Sequence, residues 1–466
     1  MRDSLRSGPG AAGPLVRPAA PAWAAEVADP ADDDTPRWAP SKALGRAVLL
    51  TGLLLIGGVL FGRVDLIVLA TPFAIGTAYA FRRRPAHSPR IRVGTDDTHH
   101  VEGDPVTACI EVANRDTIAY DVVVVRTHVS RWLKLADADR PHVVAVAPGG
   151  VREVDLRGET LRWGRHPLGP ASVRVTACDG LLASRPVVSG VRGVRVYPVT
   201  DVFRADEAMP RAAGLVGGHR SRRPGEGGEL AGVRIFGPGD RLRRVDWRVS
   251  LRTDRLHVAA TLSDRDAEVV LLLDLLAEAG RSGGVKGSAS VLDTTVRSAA
   301  AIAEHYLHRG DRVSLLEYGP AARRLRPATG RRQYLTVLEW LLDVKVDQVV
   351  YEPYENVFGP QVLSHNALIV VLTPLVDPRS AEMLARLARS GRYVVAVDTL
   401  PGAAAPPRRG PWTDVAHKVW RLERDNTIGQ LREHGVPVVA WAGAGSLDLV
   451  LRDVARLASA PKAVHR

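Results

Sequence analysis

Two long apolar segments, separated by a very short polar turn, constrain this chain more than any other feature. Residues 47–62 carry no charged side chain, and residues 64–81 carry only Asp65. Each segment approaches the roughly 17–25 residues that an α-helix needs to cross the hydrocarbon core of a bilayer. A connection this short forces the two helices to run antiparallel, so the chain leaves the membrane on the side where it entered.

The basic residues that flank this hairpin predict its orientation. Basic side chains lie on both sides of it: Arg37, Lys42 and Arg46 before it, and Arg82, Arg83, Arg84 and Arg90 after it. Because cytoplasmic flanks are enriched in Lys and Arg, both ends are expected in the cytoplasm. A cleaved signal peptide fits poorly, since more than 40 residues precede the first segment. A buried hairpin in a soluble domain stays open as the alternative.

The segments on either side of the hairpin differ in character. Residues 1–41 are rich in Ala, Pro, Gly and Asp and lack an apolar period, which predicts a disordered tail. The two membrane helices are placed within residues 42–84. Residues 85–200 then carry short β-branched runs separated by turn residues, a pattern typical of a β-sandwich-like domain.

From residue 266 to 466 the pattern changes to strand–helix alternation. Continuous apolar runs, such as residues 269–273, end at polar residues and are typical of buried parallel strands. Helical spacing separates these runs, as in residues 294–308. The fold class is therefore predicted as multidomain: a transmembrane hairpin, a β-sandwich and an α/β doubly wound domain. Sites in such sheets lie at the carboxyl ends of strands, which indicates Asp274, Thr373, Asp398 and Ser446.

A distinctive segment lies between these regions, within residues 201–265. It has a glycine-rich start at residues 225–228, an arginine and an aromatic residue, Pro-Gly-Asp, and then Arg-x-Asp-Trp. In order and spacing it resembles the signature of domain-of-unknown-function family 58. The positions taken as partner-binding or clamp residues are Arg234, Gly239, Asp240, Arg244, Asp246, Trp247 and Arg252.

The family resemblance carries two expectations. It implies a von Willebrand factor A-like domain in the α/β region, and it extends to the Arg162-Trp163-Gly164 lead-in. It also implies a MoxR-type AAA+ ATPase as a partner. Read physically, the closely spaced carboxylates and guanidinium groups can form bidentate pairs that clamp a loop, with Trp247 covering them. The other interpretation is a docking surface for a partner.

The residues that follow the first strand of the α/β region indicate whether this region could bind a metal ion. Typical A-type domains place Asp-x-Ser-x-Ser there and bind Mg²⁺ through oxygen ligands. Asp274 supplies the first carboxylate, but Leu276 has no oxygen and Glu278 is longer than serine. The distal threonine is sought at Thr294 or Thr295. The site resembles a degraded metal site, so no cofactor is expected, and Asp274 is kept as the one candidate Mg²⁺ residue.

Composition and missing motifs narrow the function. The formal net charge is +12, but the arginines are scattered along the chain, which favours a solvated surface and a nearby lipid bilayer over specific nucleic-acid binding. No P-loop, zinc-protease motif or nucleophile elbow is present. The sequence therefore predicts a non-enzymatic membrane scaffold. The alternatives are a metal-dependent adhesion-type module and an envelope enzyme of unknown type.

Overall fold

The computed structural model describes residues 38–97, 99–200, 224–237, 245–262, 268–319, 321–346, 353, 357–358, 363, 367–402 and 410–441. For residues 224–232 and 259–262 it describes the backbone alone. The chain forms two compact units. The first contains residues up to 98, 105–159 and 167–194, and the second contains residues 99–104, 160–166 and those from 195 onward.

The predicted membrane hairpin is a pair of helices, α1 (Lys42–Leu60) and α2 (Val64–Arg82). Both are long and apolar enough to cross a membrane by length and composition. Only four of their residues are buried, namely Leu44, Gly58, Ala70 and Ala80. A core helix of a soluble protein would bury most of its apolar side chains, so this exposure favours a lipid environment.

Glycine allows the two helices to turn and approach. Gly62 adopts a left-handed backbone with φ of 62°, which glycine tolerates best. At Gly58 an added Cβ would lie 2.7 Å from Cγ1 of Ile67, so a larger residue would push the helices apart.

The prediction of a disordered tail is wrong for its last four residues, 38–41. Strand β1 (Trp38–Pro40) pairs antiparallel with β10 (Leu182–Ser184), and Ser41 then caps α1. The Trp38 indole is buried against Tyr120, and its Nε1 donates to the carbonyl of His87 at 2.8 Å. A three-residue strand has no periodicity of its own to reveal it, and it persists here through tertiary contacts.

The rest of the first unit consists of two antiparallel sheets, as the short strands predict. Buried and exposed side chains alternate along β4, where Val106, Ala108, Ile110 and Val112 are buried. One sheet contains β2 (Arg90–Thr95), β4 (Pro105–Ala113), β8 (Val151–Thr160) and β6 (Leu133–Leu135), and the other contains β1, β10, β9 (Gly164–Ala177), β5 (Tyr120–Val129) and β7 (His142–Val146), with β11 (Val187–Val188) beside β9.

Two short segments from within the predicted β region belong to the second unit. Residues 99–104 include β3 (His99–Val101), which pairs in parallel with Arg195–Tyr197 of β12 (Arg192–Tyr197). Residues 160–166 are the other segment. This differs from the predicted range of 85–200 for the β domain.

A β-ribbon carries the signature segment. Strand β13 (Pro224–Ile235) pairs antiparallel with β14 (His257–Leu262), and helix α3 (Trp247–Thr253) precedes β14. Asp254 ends α3 in a left-handed conformation with φ of 54°.

The remainder of the second unit is the predicted α/β structure. Its sheet has the order β17-β16-β15-β18-β19-β20, with all neighbours parallel except β17 and β16. The strands are β15 (Glu268–Asp274), β16 (Arg312–Tyr318), β17 (Arg324–Ala328), β18 (Leu368–Thr373), β19 (Tyr393–Asp398) and β20 (Val438–Ala440), and the helices are α4 (Val291–His308), α5 (Gly330–Leu341), α6 (Pro378–Arg389) and α7 (Thr413–Glu433).

Helices cover both faces of this sheet. Leu271 and Leu273 of β15 pack in one core cluster with residues of α4 and α5. Val270 and Leu272 lie in a second cluster with residues of α6 and α7. This alternation explains why the strand is continuously apolar, and it confirms the doubly wound arrangement. A last helix, which the apolar spacing of residues 447–457 predicts, lies outside the described residues.

Candidate functional site

The Asp274 carboxylate is the centre of a buried hydroxyl–carboxylate cluster at the carboxyl ends of two adjacent strands. Asp274 ends β15, and Thr373 ends β18 beside it. Oδ2 of Asp274 accepts hydrogen bonds from Oγ1 of Thr373 and from Oγ of Ser380 in α6, each at 2.6 Å. Its Oδ1 accepts from the backbone N–H of Leu276 at 3.2 Å. The carboxylate therefore joins two strands to the start of a helix.

All three residues of this cluster are buried. Burial raises the pKa of Asp274, although the hydroxyl donors of Ser380 and Thr373 oppose that shift. The negative charge of Asp377 raises the pKa further. The stability of the charged form of this buried carboxylate depends on the hydrogen-bond donors around it.

The described side chains around Asp274 supply an incomplete ligand set for Mg²⁺, which requires octahedral oxygen coordination. The 2.6 Å separations around Asp274 are those of charge-assisted O–H···O⁻ hydrogen bonds. Leu276 contributes no side-chain oxygen, and Glu278 accepts from the backbone N–H of Leu292 at the start of α4.

The other predicted site residues that the structure describes form hydrogen bonds or ion pairs with other partners. Thr295 donates to Oγ1 of Thr399 at 3.1 Å, and Thr294 donates to the carbonyl of Ser290 at 3.0 Å. Asp398, at the end of β19, forms an ion pair with Arg424 of α7 at 2.6 Å. Ser446 lies outside the described residues.

The described part of the signature segment shows a capped helix with an exposed apolar face. Asp246 is the N-cap of α3, and its Oδ1 accepts from the backbone N–H groups of Arg248 and Val249. Trp247 is 61% exposed, and Leu251, one turn later on the same face, is 83% exposed. Large apolar side chains this exposed are typical of protein interfaces.

The described residues of the signature segment leave both the clamp and the docking interpretation open. Asp246 caps a helix, and the Trp247 side chain is exposed. Arg234 donates to the carbonyl of Ile235, and Arg252 lies in the last turn of α3. Gly239, Asp240 and Arg244 lie outside the described residues, so the pairing proposed for them stays a prediction.

A buried ion-pair network, missed from the sequence, holds residues 99–104 and 160–166 on α4. Arg297 donates two hydrogen bonds to the buried Glu102 carboxylate, at 2.8 and 2.9 Å. Arg162 and the Trp163 indole both donate to Oδ1 of Asp293, at 2.7 and 3.2 Å. The Arg162-Trp163-Gly164 motif was the one sequence signal of this network. In the structure its Arg162 and Trp163 side chains contact the N-terminus of α4.

The charges in this network account for the ionisation of Asp293. Burial acts to raise its pKa, but hydrogen bonds from Ser282 and the Arg162 guanidinium lower it below the ordinary value. A capping box, in which Ser290 and Asp293 bond each other's backbone N–H, fixes the same carboxylate at the first turn of α4. The network is therefore a structural attachment of two segments that are distant in sequence.

One further group of potential metal ligands lies in the first unit. Cys109, Glu153 and Asp155 present ligand atoms within 4.8 Å of one another on β4 and β8. Burial and the two carboxylates raise the pKa of the Cys109 thiol to about 12. Glu153 and Asp155 are exposed, and exposed acidic groups of this kind are common without a metal ion.

Comparison with known proteins identifies the family of the central segment. Residues 232–408 match the family described as Protein of unknown function DUF58, which confirms the resemblance over that range. Uncharacterized proteins of Mycobacterium tuberculosis and Mycobacterium bovis are each 34% identical to this chain over 125 residues. The match covers 27% of this chain and 38% of each relative, so it spans less than two fifths of their length.

Two solved structures match about a quarter of this chain with low TM-scores. A complex of Zinc 2-glycoprotein and Prolactin inducible protein from human seminal plasma matches with a TM-score of 0.19 and 13% identity, covering 23% of this chain and 92% of that chain. The sporulation control protein Spo0M from Bacillus subtilis matches with a TM-score of 0.16 and 8% identity, covering 23% and 49%. Scores this low carry no argument about this fold.

Proposed function

We propose that this chain, whose residues 232–408 match the DUF58 family, is a non-enzymatic membrane scaffold that engages a MoxR-type AAA+ ATPase or its client. The signature segment and the α/β region would form the contact surface. The observation that carries the proposal is the exposed pair of Trp247 and Leu251 on a helix fixed by the Asp246 cap.

The chemistry around this pair suits protein recognition. Ile235 of β13 and Leu256, just before β14, are also exposed apolar residues of the same ribbon. Tryptophan and arginine are enriched in interface hot spots, and apolar side chains around them exclude water from the contact. Exposed arginines of α3, such as Arg248 and Arg252, add positive charge. The surface therefore favours a partner that combines an apolar pocket with acidic residues.

A von Willebrand factor A-like domain is part of this proposal. The strand order with a single antiparallel edge strand, and the carboxylate at the end of β15, support it. The hydroxyl donors on Asp274 support a domain that recognises partners without a metal. A metal-dependent adhesion module is disfavoured by the same contacts.

Anchoring in the membrane is supported by the two exposed apolar helices, α1 and α2. The basic residues that flank both ends of the hairpin support a cytoplasmic location of the N-terminus and of both units. An AAA+ ATPase would be available in that compartment.

The test is a pull-down of the full-length protein from crosslinked membranes, read by mass spectrometry. The test variants are Trp247→Ala and Leu251→Ala, which keep the Asp246 cap. Val143→Ala is the matched control, because Val143 is an exposed apolar residue of the first unit, outside the proposed contact surface. We expect an AAA+ ATPase with the native protein and the control, and its loss with the two test variants. Absence of an ATPase from every sample would overturn the proposal.

A further inference from the structure

Helix α7 is fixed to the second unit by its C-terminal half. Ile428 and Leu431 are buried in the core cluster that contains α6. Arg424 donates to the carbonyl of Pro374 at 2.9 and 3.1 Å and forms an ion pair with Asp398. These contacts set the direction of the whole helix, including its exposed N-terminal half.

The opposite face of the same helix is an exposed apolar stripe. Trp412, the N-cap residue, is 76% exposed, and Val415, Val419 and Leu422 within the helix are 54%, 50% and 65% exposed. The spacing of three, four and three residues is that of positions a and d in a heptad repeat. Asn426 occupies the next a position, where a polar residue commonly fixes the register of a coiled coil. A face that only packed on its own domain would be buried.

We propose that this stripe is a self-association surface, on which α7 of a second copy of this chain packs in parallel. The seam would consist of the a and d side chains of the two helices. The partner helix presents the same stripe, so the interface is self-complementary, as the symmetry of a two-fold dimer requires.

The charges that flank the stripe select a parallel pairing. Lys418 is at position g and Glu423 is at position e of the following heptad, and both are exposed. In parallel coiled coils a g residue contacts the following e residue of the partner, so Lys418 of each copy faces Glu423 of the partner subunit. An antiparallel pair would instead bring the Lys418 side of one helix against the same side of the other.

Two heptads are short for an isolated coiled coil. Here the helix is already formed by its packing on the second unit, so association does not carry the cost of helix nucleation. Anchoring of both copies in one bilayer, which rests on the function proposed above, raises their effective concentration further. The short seam can therefore hold two copies together in the membrane.

The first test is disulfide crosslinking of the full-length protein in isolated membranes with a mild oxidant. Val419→Cys places a thiol at a central a position, where two copies meet. Arg421→Cys is the matched control, because Arg421 is exposed on the same helix at position c, away from the seam. The parent protein controls for Cys109 and Cys178. We expect a dimer band at least several-fold stronger for Val419→Cys than for both controls. Equal bands would overturn the proposal.

The second test uses charge reversal, which keeps the apolar seam intact. Lys418→Glu and Glu423→Lys each place like charges opposite one another in a parallel homodimer. We expect each single variant to lose dimer in a size measurement in detergent or nanodiscs. The Lys418→Glu/Glu423→Lys double variant, and an equal mixture of the two single variants, are expected to regain it. A monomeric parent protein would overturn the proposed self-association, and no recovery in the mixture would overturn the parallel arrangement. Neither result depends on whether the ATPase binds.

Discussion

The Thr373 hydroxyl donates a hydrogen bond to the Asp274 carboxylate at 2.6 Å and accepts one from the backbone N–H of Leu375 at 3.0 Å. It therefore links the end of β18 to the end of β15 and to its own following turn. The Ser380 hydroxyl adds the start of α6 to the same carboxylate. One carboxylate therefore connects the carboxyl ends of the two central strands, β15 and β18, to the start of α6.

Loss of a hydroxyl donor should destabilise the second unit. We expect Thr373→Val and Ser380→Ala each to lower the free energy of unfolding by about 1–3 kcal/mol, because a buried carboxylate loses a partner. Denaturant unfolding of the full-length protein in detergent measures this. Added Mg²⁺ should not raise the stability of the native protein, and a clear rise that Asp274→Asn abolishes would contradict the metal-free cluster.

The raised pKa of Asp274 predicts the sign of a pH effect. Between the ordinary aspartate pKa of about 4 and the raised native value, the folded state binds more protons than the unfolded state. The free energy of unfolding should therefore fall as pH rises through this window. We expect Asp274→Asn to flatten that slope, since it removes the titrating group. Unfolding curves of both proteins from pH 4 upward test this, and parallel pH profiles would count against it.

Breaking the Glu102–Arg297 ion pair should cost far more than breaking an exposed one. The Glu102 side chain is fully buried, so Arg297→Met would leave an unpaired buried charge, and we expect a loss of about 3–5 kcal/mol. The control is Arg165→Met, which removes exposed pairs with Glu339 and Asp343 and should cost about 0–1 kcal/mol. Similar losses in the two variants would show that the buried pair is not the attachment that the structure indicates.

The orientation of the hairpin is testable by cysteine labelling. Arg63→Cys lies in the turn between α1 and α2, and Ala86→Cys lies just after α2. With both ends in the cytoplasm, an impermeant maleimide added to intact cells should label position 63 alone. Position 86 should react only after the membrane is opened. Labelling of position 86 in intact cells would reverse the proposed topology.

The sequence predicted the features that depend on local pattern. The apolar runs of α1, α2 and β15 are continuous. Such runs are stable in a lipid bilayer or in a protein core, which is why they could be assigned from the sequence. Asp274 was found because a polar residue at the end of a buried strand lies at the functional edge of such a sheet. The antiparallel edge strand β17 was not predicted, because Arg324 and Arg326 alternate with less polar residues over only five positions.

The features that were missed depend on contacts between distant residues. Ser380 is 106 residues from Asp274, and Arg297 is 195 residues from Glu102. A single sequence contains no signal for such pairings. Trp38 was assigned to the tail by its Ala- and Pro-rich neighbours, yet it is buried because Tyr120 and the backbone of His87 receive it.

The attachment of the hairpin to the first unit has a mechanical consequence. Strand β1 leads directly into α1, and the residues that follow α2 return to the same place, where Arg84 donates to the carbonyl of Trp38 and the Cys178 thiol to that of Arg83. A hairpin held at both ends cannot swivel freely. If the proposed bilayer becomes thinner and the helices tilt, the attached β-sheets must tilt with them. Such a rigid attachment would transmit a change in helix tilt to the folded unit. A flexible linker would not.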